Sequence, residues 1–163
     1  MARTPLGKTF IDPTRKNIFI DSCAFDTDMV TEKNAAMELL ELFDKEIINL
    51  QLAYSTKIEI AHPNTPGIKK LLASRMTYSL KTQMTPEEQN EKSKIYTILT
   101  GNSKKEKMKM DAENVSQASK YCAFFVTTDK RIIKKRNELQ KVSSALILKP
   151  SELINQIKKV INA

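Results

Sequence analysis

Four short apolar runs rich in β-forming residues punctuate the chain: NIFI at 17–20, LQLAYS at 50–55, FFVT at 124–127 and ALIL at 145–148. Near-continuous apolarity over so few residues fits strands covered on both faces, as in a parallel sheet. Helical spacing fills the intervals. Ala36, Leu39, Leu40, Phe43 and Ile47 form one stripe, and such a stripe buries one side of a helix. Thr65-Pro66 opens a predicted helix to about Lys81, and Thr85-Pro86 with Glu88 opens another to about Leu99, through an N-cap, a first-turn proline and a capping-box glutamate. Val115, Ala118 and Cys122 mark a helix opened by Asp111, and Ser151 is the expected cap of a last helix through Ile161. The stretch at 101–110, GNSKKEKMKM, reads as an exposed loop. The predicted order is β-α-β-α-α-α-α-β-α-β-α. That alternation predicts an α/β fold with a central, mostly parallel sheet and helices on both faces.

A chain of 163 residues fits a single domain over 1–163, with residues 1–16 as an N-terminal extension. Three glycines and no tryptophan disfavour a turn-rich all-β fold. Cys23 and Cys122 belong to no CxxC pair, so they read as buried thiols of a reducing compartment rather than zinc ligands. The first residues carry charge but no apolar core, and no apolar run approaches the roughly 20 residues that span a bilayer. A soluble cytoplasmic protein with no membrane association is expected.

The formal net charge of +8 suits a polyanionic partner, and its distribution is uneven. From 26 to 46 there are seven acids and two lysines; from 68 to 81 there are four bases and no acid; from 130 to 141 there are six bases and one acid. An acidic site flanked by cationic ground is the expected surface.

In open parallel sheets, ligands bind beyond the carboxyl ends of the strands. Asp21 directly follows NIFI, Asp129 follows FFVTT, Glu59 lies four residues past LQLAYS, and Asp111 opens the helix before FFVTT. An acid on the core-facing stripe of a helix is costly unless its charge is compensated, and a divalent cation would compensate it. Each also has a plainer role: Asp21 and Asp129 as helix caps, Glu59 as the partner of Thr56 in a capping box, Asp111 as a dipole-favoured acid at a helix start. His62, the one histidine, precedes Pro63 and reads as a helix-ending surface residue.

The segments NIFIDSCAFD, TKIEIAH and DAENVSQASKYCAFFVTTDKRIIKK together resemble the acidic motifs of PIN domains, the nuclease family that includes the VapC-type toxin ribonucleases. The resemblance runs from about Asn17 to Ile161. It implies a PIN-like three-layer α/β/α sandwich and a metal-dependent endoribonuclease that uses Mg²⁺ or Mn²⁺. In that reading Asp21, Glu59, Asp111 and Asp129 are the catalytic, metal-holding carboxylates, and Ser22 and Thr128 support them or touch phosphate. Lys104, Lys105, Lys134, Lys135 and Arg136 would hold a single-stranded RNA, with DNA as the other polymer open. An antitoxin-like protein and a second copy of the chain are the implied protein partners. The chain departs from the family pattern in two places. Its segment from Glu59 to Asp111 is longer than in compact toxins, and Lys130 and Arg131 follow Asp129 where many relatives carry another acid. Two rival readings follow: a non-catalytic RNA-binding or protein-interaction module, and a flavodoxin-like phosphate-acceptor domain, for which Lys149-Pro150 after the last strand gives a faint basis.

Overall fold

The computed structural model describes residues 11–52, 77–78, 83–101, 105–121 and 124–162. Five strands, β1 (Asn17–Ile20), β2 (Asn49–Leu52), β3 (Thr77–Tyr78), β4 (Phe124–Val126) and β5 (Leu146–Leu148), form one sheet in the order β3-β2-β1-β4-β5. Every pairing is parallel: Asn17 lies opposite Asn49, Ile18 opposite Phe124, Gln51 opposite Thr77 and Phe124 opposite Leu146. The carboxyl ends of the strands therefore share one edge of the sheet. This order is not the 2-1-3-4-5 arrangement of flavodoxin-like domains, so the phosphate-acceptor reading loses its fold.

Six helices accompany the sheet among the described residues: α1 (Val30–Asp44), α2 (Pro86–Thr100), α3 (Lys105–Lys120), α4 (Lys130–Lys134), α5 (Arg136–Val142) and α6 (Pro150–Ile161). Strand residues alternate between two cores, as a two-residue period requires. Ile18, Ile20, Leu50, Leu52, Phe124 and Val126 point toward α1 and α6, where Ala36, Leu39, Leu40, Leu153, Ile154 and Ile157 close the core. Phe19, Phe125 and Ile147 point the other way, onto Ile95 and Leu99 of α2, Met108, Ala112, Val115 and Ala118 of α3, Ile132 of α4 and Leu139 of α5. Helices cover both faces of a parallel sheet, the α/β architecture that the alternation of elements predicts.

Four local expectations are corrected. Thr77–Tyr78, which the sequence assigns to the helix reaching Lys81, instead pairs with β2 as a strand; a β-branched and an aromatic residue together favour the pleated surface. Residues 101–110 are not simply an exposed loop: α3 begins at Lys105, and Met108 is buried. Met108, Ala112 and Val115 continue the apolar stripe one turn back at i, i+4, i+7, and lysine, glutamate and methionine are good helix formers. Asp111 is consequently the seventh residue of α3 rather than its first. Ser151 does not cap α6; Lys149 stands at the N-cap position, where Glu152 accepts its backbone N–H at 2.9 Å. Ser151 instead donates its backbone N–H (3.0 Å) and its hydroxyl (2.6 Å) to the buried carboxylate of Glu32, tying the start of α1 to the start of α6. Within the predicted N-terminal extension, Ile11 packs against the α1/α6 core.

The end of α2 is fixed by Gly101, whose φ is +46° and whose N–H donates to Thr97 O at 3.2 Å. A Cβ there would stand 3.2 Å from the Lys135 Nζ, and that amine donates to Ile98 O at 2.6 Å. Gly101→Ala is expected to cost roughly 1–2 kcal/mol in chemical unfolding, through backbone strain with displacement of that amine. An unchanged urea midpoint would show that the turn relaxes freely.

Candidate functional site

The register of β1 and β4 sets the first part of the site. Ile20 lies opposite Val126, so the next residues, Asp21 and Thr127, leave the ends of adjacent parallel strands side by side. Two hydrogen bonds keep the chains aligned past the last ladder pair: Asp21 N to Val126 O at 2.8 Å, and Thr127 N to Leu148 O at 3.0 Å. By the two-residue alternation, both side chains emerge on the face of Phe19 and Phe125, the side covered by α3.

The Thr127 hydroxyl is a hub. It donates to Asp21 Oδ2 at 2.9 Å and accepts the Asp129 backbone N–H at 3.0 Å. Cys23 Sγ lies 3.5 Å from it. With the single Thr127 hydroxyl proton committed to Asp21, the thiol is the donor in that contact. Thr128, the threonine singled out from sequence, donates to Cys23 O at 3.2 Å and toward its Sγ at 3.3 Å. Burial pushes the Cys23 thiol up to about 12, with the Asp21 charge adding to the rise. It stays protonated and unreactive at neutral pH.

Asp21 and Asp129 sit in opposite electrostatic settings. Asp21 is 5 % exposed and makes no side-chain cap bond to the 3₁₀ turn Ser22–Phe25 that follows it, so the plain capping role does not account for it. Burial raises its carboxyl above the ordinary value, against the Thr127 hydrogen bond and with the Asp129 charge adding to the rise. Burial also acts on Asp129, but there it is outweighed by hydrogen bonds from Arg131, and the carboxyl lies below its ordinary value. Asp129 does cap α4, accepting the Arg131 backbone N–H at 2.9 Å.

Arg131 gathers the group. Its Nη2 donates to Asp129 Oδ2 at 2.8 Å and to Asp111 Oδ2 at 3.3 Å, and its Nε donates to Asp129 Oδ1 at 3.2 Å. The side chains of Asp111 and Asp129 are 16 % and 17 % exposed, that of Arg131 42 %. The Asp129 hydrogen bond holds the guanidinium more firmly charged than an ordinary arginine, and the charges of Asp111 and Asp21 add to the effect. Two carboxylates, from α3 and the β4–α4 turn, thus contact one cationic side chain at the carboxyl edge of the sheet, and the Asp21 charge, just past the end of β1, adds to its field.

The remaining predicted positions are placed as follows. Glu59 and Lys104 lie outside the described residues, as do His62 and Cys122. Ser22 opens the 3₁₀ turn after β1, and Lys105 begins α3. Lys135 is held by the Ile98 carbonyl, and Arg136 pairs with Glu152 at 2.7 Å. Glu113, two residues past Asp111 on α3, pairs with Lys92. Lys134 is exposed on α4, and so is Lys130, which immediately follows Asp129. Sequence reading did not single out Thr127, and it took Lys130 and Arg131 as residues standing in place of a further acid, within the basic run that starts at 130. The signal for Thr127 was available, since the residue just past a strand end keeps that strand's alternation.

The all-oxygen set of Asp21, Asp111 and Asp129 has the donor chemistry that Mg²⁺ and Mn²⁺ prefer. Among the described residues, no three such groups already stand at the spacing needed to hold one ion; the Arg131 guanidinium lies between two of them. No helix of the described residues is long and apolar enough to cross a membrane. Comparison with protein-family models, curated proteins and solved structures finds no match to this chain.

Proposed function

We propose that the chain is a PIN-like, divalent-cation-dependent phosphodiester hydrolase acting on single-stranded RNA, with Asp21, Asp111 and Asp129 as its central carboxylates and Glu59 as the fourth. One observation carries the reading: residues from β1, α3 and the β4–α4 turn, up to 108 positions apart in sequence, converge as charges around Arg131. A bound Mg²⁺ or Mn²⁺ supplies a more acidic water and charge neutralisation at phosphate. The protein residues divide the remaining work. Asp129, held below the ordinary carboxylate range, stays ionised across the neutral range. Asp21, raised by burial, is the stronger proton acceptor of the two; environments that push paired carboxyls apart in this way separate a base from a fixed anion. Thr127 orients the Asp21 carboxylate. Exposed Lys130 and Lys134, on the helix that Asp129 caps, draw the phosphate backbone toward the site.

The test is incubation of the purified chain with labelled single-stranded RNAs of varied sequence, in Mg²⁺, in Mn²⁺ and in excess chelator. Cleavage restricted to the metal-containing reactions, with 5′-phosphate ends, is the expected result. Lys130→Glu with Lys134→Glu is expected to weaken RNA binding and flatten its salt slope by roughly 1.4, about 0.7 per lost phosphate contact on a single strand.

The second reading, a non-catalytic RNA-binding or protein-interaction module, is favoured by the same guanidinium, because Arg131 already neutralises Asp111 and Asp129. RNA binding without cleavage in either metal, across all the RNAs, would establish it.

A further inference from the structure

Arg131 bridges two carboxylates from different elements, Asp129 of the β4–α4 turn and Asp111 of α3. Planar donation from Nε and Nη2 to both oxygens of Asp129 is the fork geometry in which arginine binds carboxylate best. The bridge is closed on the carboxylate side and open on the other, since the Arg131 side chain is 42 % exposed while both acids are mostly covered. The guanidinium can therefore swing outward into solvent without disturbing the core, and its helical neighbour Ile132 stays buried. Asp129 keeps its backbone cap to Arg131 N whether or not the side chain remains.

We infer that Arg131 is a built-in competitor for the cation site, holding Asp111 and Asp129 in a self-neutralised state from which a divalent cation must displace it. The inference rests on the proposed cation-dependent function and adds a regulatory element to it. Two positive charges cannot share the Asp111–Asp129 gap, so the bridged and cation-bound states exclude each other. The observed cation affinity is then the intrinsic affinity reduced by the fraction of molecules in which the bridge is open. The displaced guanidinium remains tethered next to the site, carrying a charge suited to phosphate.

The experiment is calorimetric titration of Mn²⁺ into the wild-type chain, Arg131→Gln and Arg131→Lys, without RNA. Arg131→Gln is expected to bind Mn²⁺ roughly tenfold tighter or more, the worth of a charged hydrogen bond that no longer competes. Arg131→Lys should fall between, because an ammonium cannot reproduce the fork. A readout on the unaltered protein is the Arg131 Nε–H signal in ¹⁵N-resolved NMR during Mg²⁺ titration. It is expected to lose the signature of its Asp129 hydrogen bond as Mg²⁺ saturates, which keeps the test alive should a variant misfold. Equal Mn²⁺ affinity in wild type and Arg131→Gln, or an Nε–H signal unmoved at Mg²⁺ saturation, overturns the competitor role and leaves the cation-dependent function standing. Failure of both wild type and Arg131→Gln to bind either metal overturns the competitor role together with the function beneath it.

Discussion

Asp111→Asn is expected to lower metal-dependent cleavage of single-stranded RNA by on the order of 10³-fold while leaving RNA affinity nearly unchanged. The separation of effects follows from position. Asp111 faces the carboxylate group from α3 and is covered, whereas the exposed lysines of α4 lie outside it. The substitution removes one anion from the site and half of the Arg131 bridge. Because Arg131 retains its two bonds to Asp129 and is substantially exposed, the loss of stability should stay below about 1 kcal/mol. Single-turnover cleavage, fluorescence-anisotropy binding and urea unfolding measured on the same preparation check all three statements. A variant that cuts as fast as the wild type would remove Asp111 from the site.

Thr127→Val and Asp21→Asn should act in opposite directions on stability, and together they should not add. Burial raises the Asp21 carboxyl above its ordinary 3.8, so the folded state holds that proton more tightly than the unfolded chain does. The resulting stability is fully present below the ordinary value and is lost as pH rises through the raised one. At pH 7 the folded protein carries the cost of a buried charge, which the Thr127 hydroxyl eases by donating to Asp21 Oδ2 at 2.9 Å. Asp21→Asn removes that charge and is expected to be as stable as the wild type or more so at pH 7, with the advantage shrinking as pH falls toward 4. Thr127→Val removes the donor and leaves the charge, at an expected cost of about 1–3 kcal/mol at pH 7. In the Asp21→Asn background the same change should cost distinctly less, and a double-mutant cycle from urea unfolding reads the difference. A cycle that closes without coupling would show that Thr127 acts only through the Asp129 backbone bond.

Much of this arrangement was legible before any coordinates. Runs such as NIFI and FFVT declared themselves as buried strands because both faces needed apolar side chains, and the structure puts Ile18, Phe19 and Ile20 at or below 1 % exposure. Strand-end aspartates pointed to one edge of the sheet because all parallel strands finish there. What stayed hidden depended on contacts distant in sequence. Thr77–Tyr78 is a strand only because β2 offers it an edge, and no local pattern of two residues can announce that. Asp111 looked like a helix opener because the lysine-rich stretch before it resembles a solvated loop, yet Met108 anchors that stretch to the core. Arg131 is adjacent to Asp129 in sequence but gains its meaning from Asp111, 20 residues away.

The position of β1 between β2 and β4 has a consequence for how the chain is assembled. Asn17–Ile20 finds its first neighbour within 32 residues, at Asn49, but its second only at Phe124. During synthesis from the amino terminus, β1 therefore waits with an unsatisfied backbone edge and a row of large apolar side chains while some 70 further residues are made, a condition prone to wrong pairing. Joining Asp21 to Thr127 closes a separation of 106 positions, and such distant closures slow folding. The carboxylate group is thus completed only by the arrival of β4. A nascent or truncated chain ending before residue 124 retains only β1, β2 and β3 and lacks both Thr127 and Asp129, so Asp21 is left without its threonine donor.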